Sequence, residues 1–186
     1  MNAIAVPKER LPDTVFKAVI IYDDFDSATC ATALLERVAL RADEAIKWDI
    51  KPWRLDVLKQ PTLAALTVAV TANADLIVLA LNRIHSTPVE LLDWLNNWAE
   101  HRRIEDAAVL ALAPDKSHTQ STCWNEIKAF TEERDLTFLG NHNVWNDGNS
   151  VSFVHRLHQR KQFVAPASSP SFAERLPTPH HWGINE

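Results

Sequence analysis

Apolar runs alternate along this chain with stretches that are apolar on one side only. Ala18-Val19-Ile20-Ile21-Tyr22 is an unbroken apolar run that ends in Asp23, Asp24 and Asp26, as expected of a strand covered on both faces. From about 27 to 42, Ala31, Leu34, Leu35 and Val38 recur at helical spacing, with Asp26 as the predicted N-cap. Over 46–53, Ile46, Trp48 and Ile50 alternate with charged residues, and Pro52 fits a strand near the sheet edge. Pro61 opens a second helix that closes near 74, with Leu63, Leu66 and Val70 predicted to face inward. Residues 75–81 form an almost continuous apolar strand suited to the sheet centre. Thr87-Pro88-Val89-Glu90 reads as N-cap, first-turn proline and capping-box glutamate. The helix it starts runs to about 103 and buries Leu91, Leu92, Leu95, Trp98 and Ala99. A fourth strand at 107–113, a helix at about 120–134 with Trp124, Ile127 and Phe130 on one side, and a short strand at 137–139 complete the alternation.

Strands separated by helices, with right-handed crossovers, predict an α/β fold: a three-layer doubly wound sandwich around a five-stranded parallel sheet. The preferred strand order is 2-1-3-4-5. The chain divides into an N-terminal extension (1–16), the α/β domain (17–140) and a C-terminal tail (141–186). In the tail, 141–149 is polar and turn-rich, 150–162 has the pattern of one helix, and 165–179 is rich in Pro and Ser. His180-His181-Trp182-Gly183-Ile184 turns apolar again, so this segment is expected to dock on the domain or on a partner.

Composition narrows the function more by exclusion than by assignment. The chain has 186 residues, a net charge of −5 and two cysteines, Cys30 and Cys123. That charge gives no nucleic-acid groove, and the cysteines suggest neither a disulfide framework nor a zinc site. No apolar stretch approaches a membrane span, and residues 1–12 are too polar for a signal peptide, so the expected location is the cytoplasm. The first glycine is Gly140, which excludes a P-loop and a dinucleotide fingerprint upstream of it. His155 and His158, and the doublet His180-His181, lack partners at zinc-ligand spacing, and no Gly-x-Ser-x-Gly elbow occurs.

The acidic corner after the first strand is the strongest candidate site. Ligands in doubly wound sheets bind at the carboxyl ends of the strands. Asp23, Asp24 and Asp26 are therefore candidate ligands for a cation such as Mg²⁺, since three carboxylates so close repel one another unless solvated or bridged. An aspartate at a strand-to-helix turn also caps the helix and suits its dipole without any metal.

Ile20-Ile21-Tyr22-Asp23-Asp24 resembles the first strand and acidic pair of bacterial response-regulator receiver domains, and the likeness covers roughly residues 17 to 140 in order and length of elements. The resemblance implies a flavodoxin-like fold used in signal transduction. It also places Ala80 where receivers carry the phosphate-accepting aspartate, Ala111-Leu112-Ala113 where a Thr or Ser ends the fourth strand, and Gly140-Asn141 where a Lys-Pro pair follows the fifth. The implied protein is a pseudo-receiver: a non-catalytic regulatory or interaction domain that is not phosphorylated at the usual position. Asp24-Phe25-Asp26 is also similar to the nucleophile motif of haloacid-dehalogenase-type phosphatases, which implies a Mg²⁺-dependent phosphoryl-transfer enzyme with Asp24 as nucleophile and Asp26 as acid. That family's motif has Thr or Val where this chain has Ala28. A third reading is a small-ligand binder at the carboxyl edge of the sheet.

Seven tryptophans are many for a sandwich of this size. Trp98 falls on the inward stripe of its helix and Trp94 on its margin, and together with Trp182 they form the predicted interaction surface for a protein partner or for self-association. Cover by the chain's own tail is the alternative.

Overall fold

The computed structural model describes residues 14–41, 46–82, 86–112 and 122–140. Its first strand, β1 (Thr14–Tyr22), starts earlier than the apolar run that announces it. Among the described strands, Thr14–Lys17 pairs with β2 (Ile46–Arg54), whereas Ala18–Tyr22 pairs with β2 on one side and with β3 (Leu76–Ala80) on the other. The part at the amino end therefore alternates, with Phe16 buried between exposed Val15 and Lys17, and the later part is apolar throughout. The strand thus extends ahead of the predicted run at 18–22.

The helix α1 (Phe25–Arg41) follows β1, and a single 3-10 turn (Leu55–Lys59) leads from β2 into α2 (Pro61–Thr71). After β3 come α3 (Val89–His101), β4 (Ala108–Leu112), α4 (Thr122–Glu133) and β5 (Thr137–Leu139). All five strands are parallel, in the order β2-β1-β3-β4-β5. This is the doubly wound, flavodoxin-like arrangement that the alternation predicts. Pro52 lies in the edge strand β2, where its missing N–H leaves no central ladder incomplete.

Two apolar clusters lie on opposite faces of the sheet. Phe16, Ala18, Ile20, Val78 and Leu110 meet Leu34, Leu35 and Val38 of α1 on one face. Val19, Ile21, Ile77, Leu79 and Val109 meet α2, α3 and α4 on the other. Among the described residues no helix is long and apolar enough to cross a membrane.

The packing of α2 corrects two sequence expectations. Its inward residues are Thr67, Val68 and Thr71, while Leu66 and Val70 are exposed and Leu63 is half-buried. The cause lies in α3, whose Trp94 and Trp98 are 2% and 0% exposed and stack with ring centroids 6.4 Å apart. A buried indole N–H needs an acceptor. Trp94 Nε1 donates to Thr67 Oγ1 at 2.7 Å, and Trp98 Nε1 donates to the Thr71 carbonyl at 3.1 Å. Both indoles are thus enclosed between α2 and α3, and they do not form an exposed interaction surface. Trp182, and the tail 141–186 as a whole, lie outside the described residues.

The capping box expected at Thr87 is absent. The helix starts at Val89 with no side-chain cap, and the Pro88 carbonyl accepts from the Leu91 and Leu92 amides. Thr87 Oγ1 instead donates to the Cys123 carbonyl at 3.4 Å, which ties the entry of α3 to the first turn of α4.

Candidate functional site

β1 and β3 are neighbours, so the residues that follow them emerge side by side at the carboxyl edge of the sheet. Asp23 follows β1 and Asn82 follows β3. The Asn82 amide donates to both oxygens of the Asp23 carboxylate, at 2.9 and 3.1 Å. The carboxylate thereby extends the β1–β3 ladder past its last backbone pair, Tyr22 with Ala80.

Asp24 has a different local task. Its Oδ1 accepts from the Ser27 amide at 2.8 Å, and its carbonyl accepts from the Ala28 amide at 3.2 Å. These are the bonds of an N-cap residue, with Phe25 as the first helical position and Ser27 as the third. Asp24, not Asp26, caps α1. Asp26 sits exposed in the first turn, where its charge suits the positive end of the helix dipole. Phe25 between them is 77% exposed.

The three carboxylates therefore do not converge. Two face backbone amides and the third sits apart on the helix, and among the described residues no group of three or more His, Cys, Asp or Glu is placed to hold a metal ion. A divalent cation needs several oxygens turned toward one point, and the donors here do not fit that requirement. For the phosphatase likeness, Asp24 is the N-cap of α1 and Asp26 lies within its first turn.

Ala80, the last residue of β3, is buried against the face that α1 covers. It lies opposite Tyr22 on one side and Leu112 on the other. No protein-family model matches the chain, and no curated protein matches it. What the corner does is therefore read from its own chemistry. Among the described residues it contains a carboxylate clasp, a helix cap and a methyl group.

One residue of this region escapes a reading of the sequence. Ser27 is buried, and its Oγ has no hydrogen-bond partner among the described residues although its amide is capped. The spacing Asp24-x-x-Ser27 is the available signal, since an N-cap aspartate reaches the amide three residues on. Cys123 is buried in the first turn of α4. Burial pushes its thiol above the usual 9.0, hydrogen bonding from Thr87 pulls it back in part, and the charge of Glu126 adds to the rise. At the opposite edge of the sheet Asp75, also buried, accepts from the Lys17 amide through Oδ2 at 2.7 Å and donates its own amide to the Lys17 carbonyl. Side-chain carboxylates thus bracket the β1–β3 pair at both ends.

Proposed function

We propose that this chain is a non-catalytic regulatory or protein-interaction domain of receiver-like fold, a pseudo-receiver acting in the cytoplasm. The observation that carries this reading is the Asp23–Asn82 clasp. The first acidic residue after β1, which the receiver likeness would assign to a cation, serves as an acceptor for backbone. Ala80 supports the same reading, because a methyl group at the end of the central strand cannot accept a phosphoryl group. A domain of this kind acts through what its surface binds rather than through turnover.

The test is exposure of the full chain to acetyl phosphate and Mg²⁺, followed by intact-mass measurement, with a generic phosphomonoester as a parallel substrate. The expected result is no mass increase, no Mg²⁺-dependent change in tryptophan fluorescence and no phosphate release. Phosphate release that Asp24→Asn abolishes would replace this reading with the phosphatase one. A labile phosphoryl adduct would show a working receiver.

A further inference from the structure

The two faces of the sheet are covered unequally. Helices α2, α3 and α4 pack on one face, and among the described elements α1 is the helix on the other. There α1 packs on β2, β1 and β3. A helix is about 10 Å across with its side chains and strands stand about 4.8 Å apart, so a helix centred over β1 leaves β4 and β5 outside its width. Yet on this face of β4, Ala108, Leu110 and Leu112 are 0%, 2% and 6% exposed. Side chains of a strand stand roughly perpendicular to the sheet, so the neighbouring strands cannot cover their tips. Leu110 therefore needs a cover beside α1.

We propose that residues 150–162 supply this cover as a further helix laid beside α1 over β4 and β5, so that the tail completes the core of its own domain. At helical spacing Phe153, Val154 and Leu157 share one side of this segment, with His155 and Gln159 on the other. A helix of that length, about 20 Å, matches the roughly 17 Å of the five-residue strand β4. The point of departure fits as well. Gly140 follows directly on β5 at the carboxyl edge of the sheet, and the face on the other side of β5 is already taken by α4. Residues 141–149, polar and turn-rich, are long enough to bring the chain back over the α1 face. The other stretches outside the described residues fit less well. Residues 1–13 lead into β1 and carry Pro7 and Pro12, which interrupt a helix, and 113–121 lead into α4 on the opposite face.

Two measurements on the full chain test the proposal, both in a Cys30→Ala background that leaves buried Cys123 as the other thiol. Leu157→Cys, on the covered side, is expected to react with a maleimide about tenfold or more slowly than Gln159→Cys, on the side in water. A photoreactive diazirine residue in place of Leu157 is expected to attach on illumination to peptides of β4, β5 or α1 in the same chain. Mass spectrometry of mixed isotope-labelled and unlabelled chains separates attachment within a chain from attachment between chains. Equal thiol rates at the two positions overturn the proposal. So does attachment to α2 or to a second chain. A phosphoryl adduct in the acetyl phosphate assay would remove the non-catalytic reading without moving either readout, so the two stand or fall apart.

Discussion

The indole N–H of Trp94 is satisfied by the hydroxyl of Thr67, 27 positions earlier, and that hydroxyl in turn donates to the Ala64 carbonyl at 2.7 Å. One threonine thus serves as donor within its own helix and acceptor for the next. Thr67→Val keeps the shape and removes the acceptor, leaving a buried donor unpaired. The expected loss is about 1–3 kcal/mol in urea unfolding, with Thr67→Ser close to wild type. Thr67→Val together with Trp94→Phe should cost less than the two separate losses added together.

The cap assignment at α1 makes a paired prediction. Asp24→Ala removes the acceptor of the Ser27 amide and is expected to cost about 1 kcal/mol. Asp26→Ala removes only an exposed first-turn charge, and about 0.3–1 kcal/mol is the ceiling at low salt. Thermal unfolding of both variants at low and high ionic strength separates them, because only the dipole contribution fades with salt.

Asp23 is expected to matter for folding rather than for metal binding. Asp23→Ala leaves the Asn82 amide without its side-chain acceptor and should cost about 1–3 kcal/mol, whereas Asp23→Asn keeps one oxygen and should cost less. Chemical denaturation with and without Mg²⁺ measures both points, and the wild-type midpoint should not move with the cation.

Cys123 gives the pH dependence. Burial first of all holds its thiol protonated in the folded chain above the usual 9.0, so the unfolded chain loses this proton at lower pH than the folded one. Its contribution is intact below pH 9.0 and declines as pH rises from there through the folded-state value. Wild type should therefore lose stability across this alkaline window more steeply than Cys123→Ala. A thiol reagent at neutral pH should modify exposed Cys30 quickly and Cys123 only on opening.

The strand order was legible because apolar runs such as 76–80 and 108–112 lie in strands covered on both faces, and burial of that kind is written directly in composition. The facing of α2 was not legible. Counting apolar residues favours Leu66 and Val70 over Thr67 and Thr71, yet the Thr67 hydroxyl accepts from Trp94 and the Thr71 carbonyl accepts from Trp98, which turns this side of α2 toward α3. The acidic corner shows the same limit. Its carboxylates were evident, but Asp23 meets Asn82 across 59 positions through strand order alone, and the cap fell on Asp24 because α1 starts earlier than its apolar stripe.

The unequal lengths of the strands leave β1 and β2 projecting past the amino edge of the sheet. Among the described strands Thr14 to Phe16 pair with β2, and the carboxylate of Asp75 meets the Lys17 amide just before β3 begins. Val19 to Ile21 lie between β2 and β3, and their amide protons are expected to be among the slowest to trade with solvent. The carboxylate-bracketed pair β1–β3 should then be the last part of the sheet to separate.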